Sequence, residues 1–213
     1  MKLSIAIQHH PDRAELLGPL MAALTPAHVL VARDPTPTEK PNALRTYLSA
    51  LRLAPASCSH HLILQDDVTL CRNFVAGAKL ALVARPDEPV SFFCSSQPLE
   101  AAHRIRCAQD RGETFALLEP RRWTPAVALA WPVALAGEFV EFVEGQGWPS
   151  GFGADDEAIG RFLRGRGVSA WATVPSLVEH PDATPSLIGR RMRKGRCAAY
   201  YIGDGDPLAI LWR

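Results

Sequence analysis

Strand-length apolar runs alternate with helix-length amphipathic segments through the first half of the chain, and few architectures accept that order. Leu3 to Gln8 (LSIAIQ), His28 to Ala32 (HVLVA), His61 to Leu64 and Val90 to Cys94 (VSFFC) read as buried strands. Between them, Ala14 to Leu24, Asn42 to Leu53 and Asn73 to Val83 have the spacing of helices. In Asn42 to Leu53 the stripe is Leu44, Tyr47, Leu48 and Leu51, with Asn42 as a cap. Gly18-Pro19 should kink or shorten the first helix, and RDPTPTEKP must be a loop. Short β-runs joined by helices predict an α/β fold, a mostly parallel central sheet flanked by helices. Ligands of such sheets bind beyond the carboxyl ends of the strands.

One of those ends carries chemistry. Residues 60 to 67 read HHLILQDD, a buried-strand run that stops in the adjacent carboxylates Asp66 and Asp67. Adjacent acids repel, and holding them beside an apolar strand is costly unless a cation or hydrogen-bond donors compensate. A divalent ion bridging to a diphosphate does so, since Mg2+ and Mn2+ take oxygen ligands and need only one or two carboxylates besides the phosphates. The competing reading is an acidic turn capping the following helix.

The second half is less regular. Pro98 to Pro120 is polar and is expected to include a mobile excursion over the site. Thr124 to Ala130 is a strand, and Pro132 opens a helix to Val143. A glycine-rich loop then leads into Asp155, Asp156 and Glu157 at the start of a helix with Ile159, Phe162 and Leu163 on one face. Acids there are stabilised by the helix dipole, and the same placement would hold a catalytic carboxylate rigidly. Ser169 to Glu179 is strand-like with a break at Pro175 and ends in His180. Tyr200 to Trp212 reads as a strand-turn-strand lid or a dimer contact around the turn signal Gly203 to Asp206.

Composition narrows the class. The chain has 213 residues, 47% hydrophobic and 21% charged, which suits one domain with a sizeable core. No apolar run approaches the ~20 residues that span a bilayer, and the amino terminus lacks a secretory pattern, so a cytoplasmic location is expected. The five cysteines (Cys58, Cys71, Cys94, Cys107, Cys197) are scattered without a C-x-x-C pair and read as reduced thiols, not a zinc site. Net charge is +1, yet Arg190, Arg191, Arg193, Lys194 and Arg196 form a run without an acid, either a solvated loop or a phosphate-binding surface.

The order of elements with LILQDDV, GADDEAIGRFL and VPSLVEH followed by PSLIG resembles a small nucleotide-sugar glycosyltransferase of the GT-A fold, over roughly residues 3 to 203. The resemblance implies one Rossmann-like domain over 1-213, with a nucleotide-sugar-binding half (1-97) and an acceptor-binding half (98-213). It makes QDD a degenerate D-x-D motif, with Gln65 where an acid is usual. Asp67, with Asp66 beside it, would then hold Mn2+ or Mg2+ against the donor diphosphate, and His180 would be a further metal ligand. One acid of the ADDE start would be the general base, Asp156 first and Asp155 its nearest rival. Gln8, His9, His10, Asn42, Arg45 and Asp66 would contact the nucleotide sugar, a UDP-sugar such as UDP-glucose. The terminal PSLIGRRMRKGR segment resembles phage-type enzymes that glycosylate hydroxymethylated pyrimidines in DNA, with the basic run on DNA phosphates and the host cytoplasm as location. A polysaccharide or lipid-linked glycan acceptor would share the same donor site. A metal-dependent nucleotidyltransferase and a non-catalytic nucleic-acid-binding module are the other readings, and the chain has no G-x-x-x-x-G-K-[ST] loop.

Overall fold

In a computed structural model that describes residues 1–118, 124–148, 152–181, 187 and 196–213, a seven-stranded sheet has the order β2-β1-β3-β7-β5-β8-β6. Its strands are β1 (Leu3–His9), β2 (Val29–Arg33), β3 (His60–Gln65), β5 (Val90–Ser91), β6 (Phe115–Leu118), β7 (Ala128–Pro132) and β8 (Ala170–Thr173). β1 pairs in parallel with β2 and β3, and β5 with β8. β7 runs antiparallel between β3 and β5, and β6 antiparallel to β8 at the edge. Five of the seven strands therefore point the same way, a mostly parallel, Rossmann-like α/β sheet.

The strict alternation of side chains along β1, β3 and β7 gives each face its own core. Ala6, Ile63, Leu129 and Trp131 pack with α2 (Ala43–Leu51), α4 (Leu99–Asp110), α5 (Val133–Gly145) and α6 (Asp155–Arg166). Ile5, Ile7, Leu62, Leu64, Ala128 and Ala130 pack on the other face with α1 (Ala14–Ala23) and α3 (Phe74–Ala84). On the first face Trp131 stacks on Phe139 at 5.3 Å between ring centroids and donates its indole N–H to the Tyr47 hydroxyl at 2.8 Å. Phe162 packs edge-on against Phe139 at 5.4 Å, so α2, α5 and α6 share one aromatic cluster.

Four expectations are corrected. α1 is not cut short at Pro19 but runs on to Ala23, with Gly18 and Pro19 on its exposed side, where a proline in a helix is best tolerated. Pro98 to Pro120 is not an excursion in its described part: it forms α4 and β6, with Ala101, Ala102, Ile105 and Ala108 making a small buried stripe. VSFFC is a strand only at Val90 and Ser91; the Phe92 N–H still bonds the Ala128 carbonyl at 2.8 Å, and its carbonyl accepts from Leu177 and Val178. Tyr200 to Trp212 contains no strand; Pro207–Ala209 is a 3-10 turn against α3, and Trp212 packs on Phe115.

A second, two-stranded sheet joins distant parts of the chain. β4 (Thr69–Leu70), just after the acids of β3, pairs antiparallel with β9 (Val178–Glu179). That ladder delivers His180 to the carboxyl end of β3.

Candidate functional site

Because β1 and β3 are parallel neighbours with Gln8 opposite Gln65, the residues that follow each strand emerge side by side. Gln8, His9, His10, Arg13, Asp34, Asn42, Gln65, Asp66, Asp67 and Arg196 line one solvent-open cleft. The chain leaves β1 through a 3-10 turn, Pro11–Arg13, capped by His10, whose Nδ1 accepts from the Asp12 N–H at 3.2 Å. This turn folds Arg13 back over the strand ends.

The acidic pair is closely compensated. Asp66 Oδ2 lies 2.9 Å from His9 Nδ1 and accepts the His10 N–H at 3.0 Å. One guanidinium nitrogen of Arg13, Nη1, sits 3.0 Å from Asp66 Oδ1 and 2.7 Å from Asp67 Oδ2. His180 Nε2 is 3.2 Å from the same Asp67 oxygen, and Arg196 is 4.0 Å from it. Burial alone would raise the Asp67 pKa, but His180, Arg13 and Arg196 outweigh it and hold the carboxyl below its ordinary value. His180 Nε2 also lies 2.8 Å from Arg196 Nη2, so the proton on that ring nitrogen decides whether it donates to Asp67 or accepts from Arg196. Glu179 Oε1 fixes this corner by accepting the N–H groups of His180 and Ala198.

Other residues singled out in the sequence have different surroundings. Asn42 caps α2, accepting the Arg45 N–H at 3.0 Å, and donates to the Phe152 carbonyl at 3.1 Å. Arg45 forks onto Asp34, with Nε and Nη2 each 3.0 Å from a carboxylate oxygen, and reaches Glu39 at 2.9 Å. It does not line the cleft; Asp34 does. Burial would raise the Asp34 pKa, but Arg45 and the Thr36 N–H bring it below its usual value. Arg196 belongs to the Asp67 corner, whereas Arg190, Arg191, Arg193 and Lys194 lie outside the described residues.

Asp155 and Asp156 open α6, and each spends one oxygen on the next residue's N–H: Asp155 on Asp156 at 2.9 Å, Asp156 on Glu157 at 2.8 Å. Both carboxylates thus serve the helix start as well as any chemistry. Asp156 is half-buried, Asp155 fully enclosed. Burial, then the neighbouring Asp156 charge, push the Asp155 pKa up to about 7, against the opposing pull of backbone N–H groups and the Gln8 amide. Glu157 instead pairs with Arg161 at the surface. Asp155 is reached from the cleft by way of Gln8, whose own amide donates to the Ala43 carbonyl at 2.8 Å.

Arg13 and Asp34 escape sequence reasoning. The available signals are positional: Arg13 follows β1 through a P-D-R turn, and Asp34 ends β2, the strand beside β1. Among the described residues no set of three histidine, cysteine or carboxylate side chains is arranged as a metal centre. The donor chemistry still suits a hard divalent ion, because Asp67 Oδ1 is a buried carboxylate oxygen with no hydrogen-bond partner among them.

No protein-family model matches the chain, and no curated protein matches it. Among solved structures it is similar to 2-C-methyl-D-erythritol 4-phosphate cytidylyltransferase from Thermus thermophilus, at 17% identity over 91% of this chain and 94% of that one, with a TM-score of 0.39.

Proposed function

We propose that the cleft binds a nucleoside-diphosphate sugar and that the protein transfers the sugar to a hydroxyl acceptor. The observation that carries this reading is a set of buried polar atoms with no hydrogen-bond partner among the described residues: Gln8 Oε1, His9 Nε2, His10 Nε2 and Asp67 Oδ1, all on residues lining one cleft. Buried polar atoms are normally satisfied, and four without a partner among the described residues, all on residues of one cleft wall, favour a polar ligand with donors and acceptors of its own. Its place beyond the carboxyl ends of β1 and β3, with Arg13 and Arg196 on its wall, suits a nucleotide diphosphate.

In this reading the acceptor oxygen attacks the anomeric carbon as its bond to the diphosphate breaks, and the nucleoside diphosphate leaves with the bonding electrons. The hydroxyl proton passes to the Asp155–Asp156 pair, with the more accessible Asp156 receiving it. Asp67, whose Oδ1 has no partner among the described residues, would be the protein ligand to Mg2+ or Mn2+, which would supply Lewis-acid stabilisation of the departing diphosphate. Arg13 and Arg196 supply fixed positive charge at the same wall.

Nucleotidyl transfer would use the same cleft. Its acceptor is an ionised phosphate that needs no base, so the enclosed acid at about 7 favours a hydroxyl acceptor. A panel of nucleoside-diphosphate sugars with Mn2+, alone and with DNA containing 5-hydroxymethylpyrimidines, tests the reading. Release of nucleoside diphosphate is the expected result, and a hexose found on the modified base by mass spectrometry would make DNA the acceptor. Pyrophosphate release from a nucleoside triphosphate and a sugar phosphate would replace glycosyl with nucleotidyl transfer.

A further inference from the structure

We propose that Arg13 occupies the cation position between Asp66 and Asp67 and thereby makes divalent-metal binding conditional on the arrival of a diphosphate. The proposal rests on the nucleotide-binding reading above.

A single nitrogen, Nη1, lies within 3.0 Å of one carboxylate and 2.7 Å of the other, the place a bridging cation would take. The backbone beneath it is fixed, because the Arg13 N–H bonds the His10 carbonyl at 2.9 Å. The remaining Asp66 oxygen is already taken by His9 and the His10 N–H, and the Asp67 oxygen facing Arg13 also faces His180. A divalent ion drawn to Asp67 Oδ1, which has no hydrogen-bond partner among the described residues, would therefore meet a guanidinium already in the pair's field. Like charges so close, inside a cleft partly shielded from water, oppose one another strongly.

Arg13 can leave the pair at little cost only if another anion receives it. A guanidinium fork matches phosphate geometry, and Arg13 lines the cleft where the diphosphate would lie. Arg13 closes the 3-10 turn and occupies the N-cap of α1, so it is the side chain, not either element, that would have to move. With Arg13 drawn to a phosphate, the Asp66 and Asp67 oxygens it covers would be able to hold a divalent ion, which would supply charge neutralisation of the diphosphate. Binding of the two is then coupled, and reciprocity requires each to tighten the other by the same factor.

Electron paramagnetic resonance of free Mn2+ tests this on the whole chain, titrated with and without UDP, GDP, ADP, CDP or dTDP, for wild type, Arg13→Gln and Arg13→Lys. In wild type a nucleoside diphosphate should tighten Mn2+ binding by about tenfold or more. Arg13→Gln should bind Mn2+ without nucleotide about tenfold more tightly than wild type and lose most of the coupling. Arg13→Lys, which keeps the charge, should remain conditional. Wild-type Mn2+ affinity that ignores the nucleotide overturns the proposal without any variant. Should calorimetry in EDTA still show nucleotide binding in that case, the cleft reading stands and only the role of Arg13 falls; no nucleotide binding at all overturns both.

Discussion

At the end of β3, Asp66 and Asp67 sit under Arg13, with His9 against one and His180 against the other, and the Asp67 carboxyl is held below its ordinary pKa. At the start of α6, Asp155 is enclosed, and burial and then the neighbouring Asp156 charge push its pKa up to about 7 against the pull of backbone N–H groups and the Gln8 amide. The same dipeptide thus gives an anion in one place and a proton store in the other. Burial acts in the same direction on both; what differs is whether the surrounding elements bring cations. β1, its 3-10 turn and β9 bring them to Asp67, whereas Asp155 is reached by a neutral amide and a second acid.

The largest expected effect breaks the first pair. Asp67→Asn should lower metal-dependent turnover by about 10²-fold, as removal of a group that organises positive charge at a reacting centre does; steady-state kinetics on the donor panel checks it. Next, Asp155→Asn should change the shape of the pH profile. In wild type the acid pair must give up its proton before it can receive one, so the rate should fall as pH drops below about 7, and the Asn variant should lose that limb.

Stability should separate the pairs by sign. Asp67, with its folded pKa lowered, contributes stability that is present above its unfolded value of 3.8 and lost as pH falls through the folded pKa. Asp155, raised, contributes stability that is full below 3.8 and lost as pH climbs to about 7. Melting temperatures from pH 3 to pH 9 should therefore show Asp155→Asn gaining most over wild type at the alkaline end, and Asp67→Asn losing the acid-side slope. A smaller effect concerns the frame between the pairs: Asn42→Ala removes the cap of α2 and the tie to Phe152, and should cost about 1 kcal/mol in urea unfolding. The smallest is Glu157→Gln. The third acid of the α6 start pairs only with surface Arg161 among the contacts seen, and its loss should change stability by less than about 0.5 kcal/mol.

The central sheet was legible because β1 and β3 are short continuous apolar runs buried on both faces, α2 carries a helical stripe, and Asn42 caps where its type and position predict. α4 was not, since its buried stripe is mostly alanine set among Arg104, Arg106 and Asp110, which depress any hydrophobic signal. The β4–β9 ladder involves two residues on each side and leaves no period at all. Asp66 and Asp67 could be read as a site because two acids ending an apolar strand demand compensation. What supplies that compensation could not: Arg13 and Arg196 reach them only through turns and pairings fixed by the three-dimensional chain path.

The Trp131–Phe139–Phe162 stack with its Tyr47 hydrogen bond has a mechanical consequence. α2, which carries Asn42 at the cleft, and α6, which begins with Asp155, are clamped to the same buried strut, β7. The span between the strand-end acids and the helix-start acids is thus a fixed dimension of the molecule, like the gap of a caliper locked in place. In the proposed reading, a donor held at the strand-end acids and an acceptor held at the helix-start acids would be selected by reach across that gap, and redesign for a longer or shorter substrate would proceed by trimming side chains at the rim.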